Sequence, residues 1–447
     1  MRFSRLVAGL VRLSSLLPVA FSPVHAEPLM LNDDGGWCWF QDERVLVHGD
    51  QLWVVSVASG HTETARTGNV EVATRELASG RTRRFVLHPN LQYNDHATPA
   101  LLPLADGRVL AIYSGHNHER MYHRTTVRPF DGTEWTAPVA FQPTPEARVT
   151  YANLVRLSSE GGRIYNFFRG FDPQWKPSWM TSEDDGRTWT SRGLWIDQPG
   201  PDRHRPYVKY IGNGRDEIHF VFTEGHPRNI DNSLYHAVYR AGAYHRSDGT
   251  AVHPVEAGPI TPERATRIFA GSPRGIAWPS DLHLDAEGRP VAAYSVQVSA
   301  GRLPHSHPDW GQDLRYRYAR WDGQRWADFE IARAGTRLYP GEDDYSGLIA
   351  LDPQDVSTVF ISANVDPVTG APLAHRRYQL FRGHTPDEGK TWTWTQLTNT
   401  PDRDNLRPVV AMWPDSDRLA LVWMRGHYRT YTNYDLEMVG QVLPRRR

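Results

Sequence analysis

The sequence predicts an all-β chain folded as a seven-bladed β-propeller of four-stranded antiparallel blades, and three observations carry the prediction. Short apolar runs alternate with Gly, Asp, Pro and Asn throughout, and aromatic residues are abundant (16 Trp, 19 Tyr, 15 Phe). That is the pattern of many short strands joined by tight turns, with no long helical period to compete with it. Seven hairpin-like stretches recur with turns 54 to 73 residues apart, too far for one hairpin and suited to a four-stranded blade. Two segments, Ser182–Trp189 and Thr385–Trp392, fit the Asp-box pattern Ser/Thr-x-Asp-x-Gly-x-Thr-Trp.

In chain order the hairpins are "VLVHGDQLWVVSV" turning at Gly49, "ALLPLADGRVLAIYSG" at Asp106, "NLVRLSSEGGRIYNFFRG" at Glu160 and "YVKYIGNGRDEIHFVFTEG" at Gly214. "DLHLDAEGRPVAAYSV" at Glu287, "LIALDPQDVSTVFISANV" at Gln354 and "VVAMWPDSDRLALVWMRG" at Ser416 complete the set. In an Asp box the Asp side chain can hold its own turn, Gly supplies a left-handed backbone and Trp packs between sheets. Weaker copies stand at Asp131–Trp135 and Asp322–Trp326. Gly132 and Gly186 each fall 26 residues beyond the Asp106 and Glu160 turns, so the boxes join third and fourth strands, on the face opposite the open mouth. A two-sheet sandwich would give no reason for seven phased hairpins.

Residues 1–26 combine Arg2 and Arg5, an apolar middle and a small-residue exit at Ala26, which reads as a secretory signal peptide. The expectation is a secreted or periplasmic protein whose residues 27–447 form a single propeller domain. No other segment is long and apolar enough to span a membrane. Cys38 is the only cysteine, so stability comes from packing and not from a disulfide framework. Basic and acidic residues balance, 50 against 51, which excludes a general nucleic-acid reader. A monomer is expected.

Candidate functional residues emerge from the hairpin symmetry. His96 and His116 are equidistant from Asp106, so a three-residue loop Ala105-Asp106-Gly107 would set them opposite one another at the front mouth of the second blade. Tyr151 and Arg169 are likewise equidistant from Glu160, one blade on. Arg205 and Tyr207 lie at the next mouth, and Arg407 and Arg425 flank the last hairpin. Taken singly, a mouth histidine more often serves a loop, a tyrosine the packing, an arginine the solvated surface. Their convergence from adjacent blades points to a pocket for an anionic ligand. Arg169 suits a carboxylate clamp, and histidine and tyrosine suit proton transfer. Nothing here forms the nucleophile elbow of a serine hydrolase. A glycosidase carboxylate pair is not evident, although Asp95, Glu224 and Asp281 can be placed near the rim. Carboxylate neutralisation with a His/Tyr acid-base set fits β-elimination on a uronate, which requires no nucleophile and no redox cofactor.

At these residues the sequence resembles the Asp-box (BNR-type) propeller polysaccharide lyases, the group of ulvan lyases and L-rhamnosyl-α-1,4-D-glucuronate lyases. The resemblance rests on "GGWCWFQDERVLV", "NDHATPALL", "YSGHN", "TYANLVRLS", "FFRG" and "RPYVKY". It implies a seven-bladed propeller and an acidic, uronate-containing polysaccharide substrate, cleaved at rhamnose-α-1,4-glucuronate linkages of ulvan or arabinogalactan type. His96 and His116 become active-site histidines, Tyr151 an acid-base partner, Arg169 the carboxylate neutraliser, and Arg205 and Tyr207 substrate-binding residues. Whether His116 or Tyr151 takes the proton stays open. Ala152 departs from the proline expected after the tyrosine. The chemistry calls for no cofactor. No metal motif stands out: His305 and His307 read as a solvated loop, although a structural calcium on backbone carbonyls would leave no sequence trace. Two other readings use the same scaffold, a rhamnosidase-like hydrolase and a non-catalytic acidic-glycan-binding propeller. A sialidase lacks support, since no Arg-Ile-Pro segment is present.

Overall fold

The computed structural model describes residues 27–144, 148–170, 175–199, 205–298, 307–342, 344–414 and 416–445. Residues 1–26, where a signal peptide is expected, and His305 lie outside them. Seven antiparallel sheets follow one another in chain order. Blade 1 is Val45–His48, Gln51–Val57, Val70–Glu76 and Thr82–His88; blade 2 is Ala100–Pro103, Val109–Ser114, Met121–Thr125 and Val139–Phe141. Blade 3 is Thr150–Leu157, Arg163–Arg169, Pro177–Ser182 and Thr190–Leu194. Blades 4 to 7 open with the inner strands Val208–Gly212, Ile276–Leu284, Ile349–Asp352 and Asp404–Ala411. All seven sequence-derived hairpins form first-to-second strand turns. Among the described residues the helical elements are five single 3-10 turns, and no helix is long and apolar enough to cross a membrane.

The turn chemistry acts as its residues dictate. In blade 2, Gly107 takes φ +83 and its N–H bonds Leu104 O at 3.0 Å, while Asp106 Oδ1 accepts the Arg108 N–H. Both full Asp boxes join third and fourth strands. Asp184 accepts Thr188 N and Oγ1, and Trp189 Nε1 donates to Gly186 O; Asp387, Thr391, Trp392 and Gly389 repeat the arrangement. Of the weaker copies, Trp135 keeps the bond to Gly132 O, whereas Trp326 turns its indole to Ser247 Oγ.

Two features go beyond the repeat. Leu29–Asn32 pairs with Asn433–Pro444, so the outermost strand of blade 7 comes from the opposite end of the chain and latches the ring. Blade 4 is not four-stranded: its insertion after Gly242 supplies Ala251–Pro254, beside Ala243–His245, and Thr266–Phe269, which pairs with Leu234–Arg240. The insertion therefore widens the blade at its outer edge.

The central channel is filled by the segment Trp37–Arg44, which bonds or stacks with every blade. Val55 N–H donates to Arg44 O in blade 1. Gln41 Nε2 donates to His96 O and Thr98 O beside blade 2, each at 3.0 Å. Asn153 Oδ1 of blade 3 accepts Asp42 N–H. Lys209 of blade 4 and Arg407 of blade 7 both donate to Gln41 O. Phe40 stacks on Trp278 of blade 5 at 3.9 Å, and Trp39 Nε1 donates to Ser346 O ahead of blade 6. Trp39 also packs against Tyr345 and Tyr428. Because Trp39 is fully enclosed, Trp39→Ala should cost about 3–5 kcal/mol of stability, read as a lowered denaturation midpoint in urea with an unchanged slope.

Candidate active site

The site grows from two adjacent hairpins. In blade 2 the register from Ala100↔Ile112 to Pro103↔Val109 is centred on Asp106, so continuing it past the strand ends brings His96 towards His116. His96 sits on the 3-10 turn Asp95–Ala97, capped by the Asn94 side chain, which accepts the His96 N–H at 3.1 Å. The two imidazole centroids are 4.2 Å apart.

Blade 3 departs from simple symmetry. Its register is centred on Glu160 from Asn153↔Phe167 to Leu157↔Arg163, but a bulge then pairs Arg169 with Thr150 in place of Tyr151. Tyr151 sits in the bulge at φ +71, a left-handed backbone that costs a tyrosine about 1–3 kcal/mol. A bulge re-aims the side chain it carries. The Tyr151 ring thereby lies parallel to His96 at 5.3 Å, and the Arg169 guanidinium carbon stands 4.8 Å from its centroid and 5.3 Å from that of Tyr207. His96, His116, Tyr151, Arg169 and Tyr207 thus meet at one point. Arg205, in the extended run before the blade 4 inner strand, adds its charge to the two histidines.

Arg169 is 6% exposed, its Nε and Nη1 have no hydrogen-bond partner, and it forms no ion pair among the described residues. The flanking π faces favour a cation but do not neutralise it, so this buried charge is left to be met by a ligand. Burial, the neighbouring His96, Arg169 and Arg205 push His116 down to about 2, and burial with Arg169 and Arg205 holds His96 well below its usual range. Both imidazoles are therefore neutral. The Asn94 oxygen that takes the His96 N–H leaves its Nδ2 facing His116 Nδ1 at 3.3 Å. His116 Nδ1 is thus an acceptor, and Nε2 carries the proton. Burial, then Cys38, push the Tyr151 phenol well above 10, so it is a proton donor at neutral pH; its oxygen is 3.5 Å from Cys38 Sγ.

Several functional candidates escape sequence symmetry. Asp95 is fully enclosed, accepts Tyr428 OH at 2.6 Å through Oδ2, and holds Oδ1 2.7 Å from His96 Nδ1, off the line of a linear hydrogen bond. Its burial raises the carboxyl to about 7. The half-buried Tyr431 presents its edge to both imidazoles, at 5.4 and 5.8 Å. Tyr428 and Tyr431 come from blade 7, more than 300 residues from His96 in the chain, where no local pattern ties them to it.

Other expectations are corrected. Arg407 and Asp281 are buried in the channel and not on the rim, because bulges at the inner strands of blades 7 and 5 turn them inward. Arg425 pairs with Glu437, and Glu224 is occupied by Ser233 N and Tyr235 OH. Among the described residues two groups of side chains could take a metal ion, Cys38 with Asp95 and His96, and Glu43 with Asp281 and His283.

Residues 55–334 match the family model described as BNR repeat-containing family member. No curated protein matches the sequence. Among solved structures, an ulvan lyase of polysaccharide lyase family PL25, bound to a glucuronate-(1-4)-rhamnose-3-sulfate ligand, superposes with a TM-score of 0.68 at 15% identity, covering 93% of this chain and 95% of that one. A further structure of a PL25 ulvan lyase gives the same values. A second polysaccharide lyase gives 0.54 at 10% identity, over 96% and 95%. These likenesses establish a shared propeller fold.

Removing one hydroxyl tests the enclosed chain from blade 7 to the histidine turn. Tyr428→Phe strips Asp95 of its donor and should lower stability by about 1–3 kcal/mol in urea denaturation.

Proposed function

The chain belongs to the BNR repeat-containing family, and from that premise we propose that it is a polysaccharide lyase, cleaving rhamnose-α-1,4-glucuronate linkages by β-elimination. The observation that carries the reading is the enclosed Arg169 guanidinium, which makes no ion pair among the described residues and leaves Nε and Nη1 without a partner, beside two neutral imidazoles and a protonated phenol. A uronate carboxylate is the anion that fits it, and the groups around it can move a proton without further help.

In this reading Arg169 clamps the carboxylate, so that negative charge developing at C5 is stabilised more than the ground state. His96 takes the C5 proton through Nε2, with Asp95 behind Nδ1 to steady the imidazolium that forms. The C5 electron pair makes the C4–C5 double bond as the C4–O4 bond breaks, and Tyr151 protonates the departing oxygen. His116, a donor through Nε2, hydrogen-bonds the sugar or the carboxylate. Arg205 and Tyr207 hold the chain, and Arg205 offers a second positive charge to an acidic glycan. The uronate product is unsaturated. The solved ulvan lyases with the same fold support the substrate class; ulvan and arabinogalactan-type glycans are the materials to try.

Incubation with these glycans should develop the ultraviolet absorbance of a conjugated uronate. Sugar release without it would replace the lyase with a hydrolase, and binding without turnover would leave a glycan-binding propeller. His96→Gln and Tyr151→Phe should each lower kcat by about 100- to 10,000-fold with binding largely kept. Arg169→Gln should weaken both binding and turnover, binding by roughly 10- to 100-fold in calorimetric titration.

A further inference from the structure

At the other end of the channel stands a group of side chains that the elimination does not use. Glu43 belongs to the axial segment, Asp281 and His283 to the blade 5 inner strand, and one ligand atom from each lies within 4.8 Å of the others. Asp281 and His283 are each 4% exposed. His283 Nε2 has no hydrogen-bond partner and is aimed at Asp281 Oδ1 across 3.4 Å. Asp281 is fixed by Leu282 N on Oδ1 and Leu351 N on Oδ2, so both protein partners orient the carboxylate and leave lone pairs free. An open cavity lined by Asp42, Glu43 and Arg44 reaches this end of the channel.

We propose that Glu43, Asp281 and His283 form a site for a zinc-type divalent ion that fastens the axial segment to blade 5. The spacing decides between this group and the one beside the active site. Two ligands on a tetrahedral ion with bonds of about 2.1 Å are about 3.4 Å apart, which is the His283–Asp281 separation. The His96–Asp95 separation of 2.7 Å is too short for that edge. A nitrogen ligand selects a transition ion over calcium, which takes six to eight oxygens. Lys209 and Arg407 are nearby cations that both donate to the Gln41 carbonyl and also act on Glu43 through their charge. Their charge works against a metal, so the ion needs both carboxylates as well as the imidazole.

This site is independent of the proposed elimination, and its test reads metal, not turnover. The chain is stripped with a chelator, equilibrated with zinc, freed of excess and assayed for metal by atomic emission. The wild type and Cys38→Ser should each retain about one zinc per chain, and zinc should raise the wild-type Tm. His283→Gln and Glu43→Gln, with far-ultraviolet dichroism checking their fold, should retain background metal and show no Tm rise. The proposal is overturned if the wild type retains no zinc. It is equally overturned if both channel variants retain as much as the wild type, or if Cys38→Ser alone loses it, which would move the ion to the front group.

Discussion

Everything in this propeller is built around a segment that belongs to no blade. Seven twisted sheets arranged in a ring leave an axial hole, and the polar ends of the inner strands that face it need partners. Trp37–Arg44 supplies both: its indoles and phenyl ring fill the volume, and its backbone and Gln41 side chain satisfy groups from opposite sides of the ring. The segment enters directly from the latch strand that closes blade 7 and leaves directly into blade 1. Ring closure and axial filling are thus one continuous run of chain, so displacing either disturbs the other.

The same run floors the front site. Cys38 touches the Tyr151 hydroxyl, Phe40 meets the edge of Tyr207, and the Gln41 amide holds the carbonyl of His96. The result is an enclosed pocket in which a guanidinium lies over tyrosine rings, imidazoles are kept neutral by burial and by that positive charge, and a phenol keeps its proton. Each of these states is costly in isolation. They coexist because the positive charge that depresses the histidines is the one an anionic ligand would neutralise. The left-handed backbone at Tyr151 belongs to the same design, since an unbulged strand would send that ring elsewhere.

Likeness of fold at 10 to 15% identity is understandable for such an architecture. A blade needs alternation, a turn glycine and a packing aromatic, and many residues meet those demands. The reacting groups are more constrained, because a proton donor, a base and a carboxylate clamp must meet over a few ångströms. A propeller shared at that identity therefore carries no particular reaction with it.

The sequence by itself determined the number of blades, the phase of every hairpin and the face on which the Asp boxes lie, because turn residues and alternation are local and repeat with the architecture. It also brought His96 to His116, since a hairpin turn relates residues by distance from its centre. Symmetry failed at the bulges: Tyr151 no longer faces Arg169 in register, and Asp281 and Arg407 turn into the channel, because a bulge is fixed by what the strand packs against. The latch strand, the filled axis, Asp95 held by Tyr428, and the meeting of Glu43 with Asp281 and His283 belong to the tertiary structure alone. They join residues up to about 400 positions apart, and only closure of the ring places those residues within reach of one another.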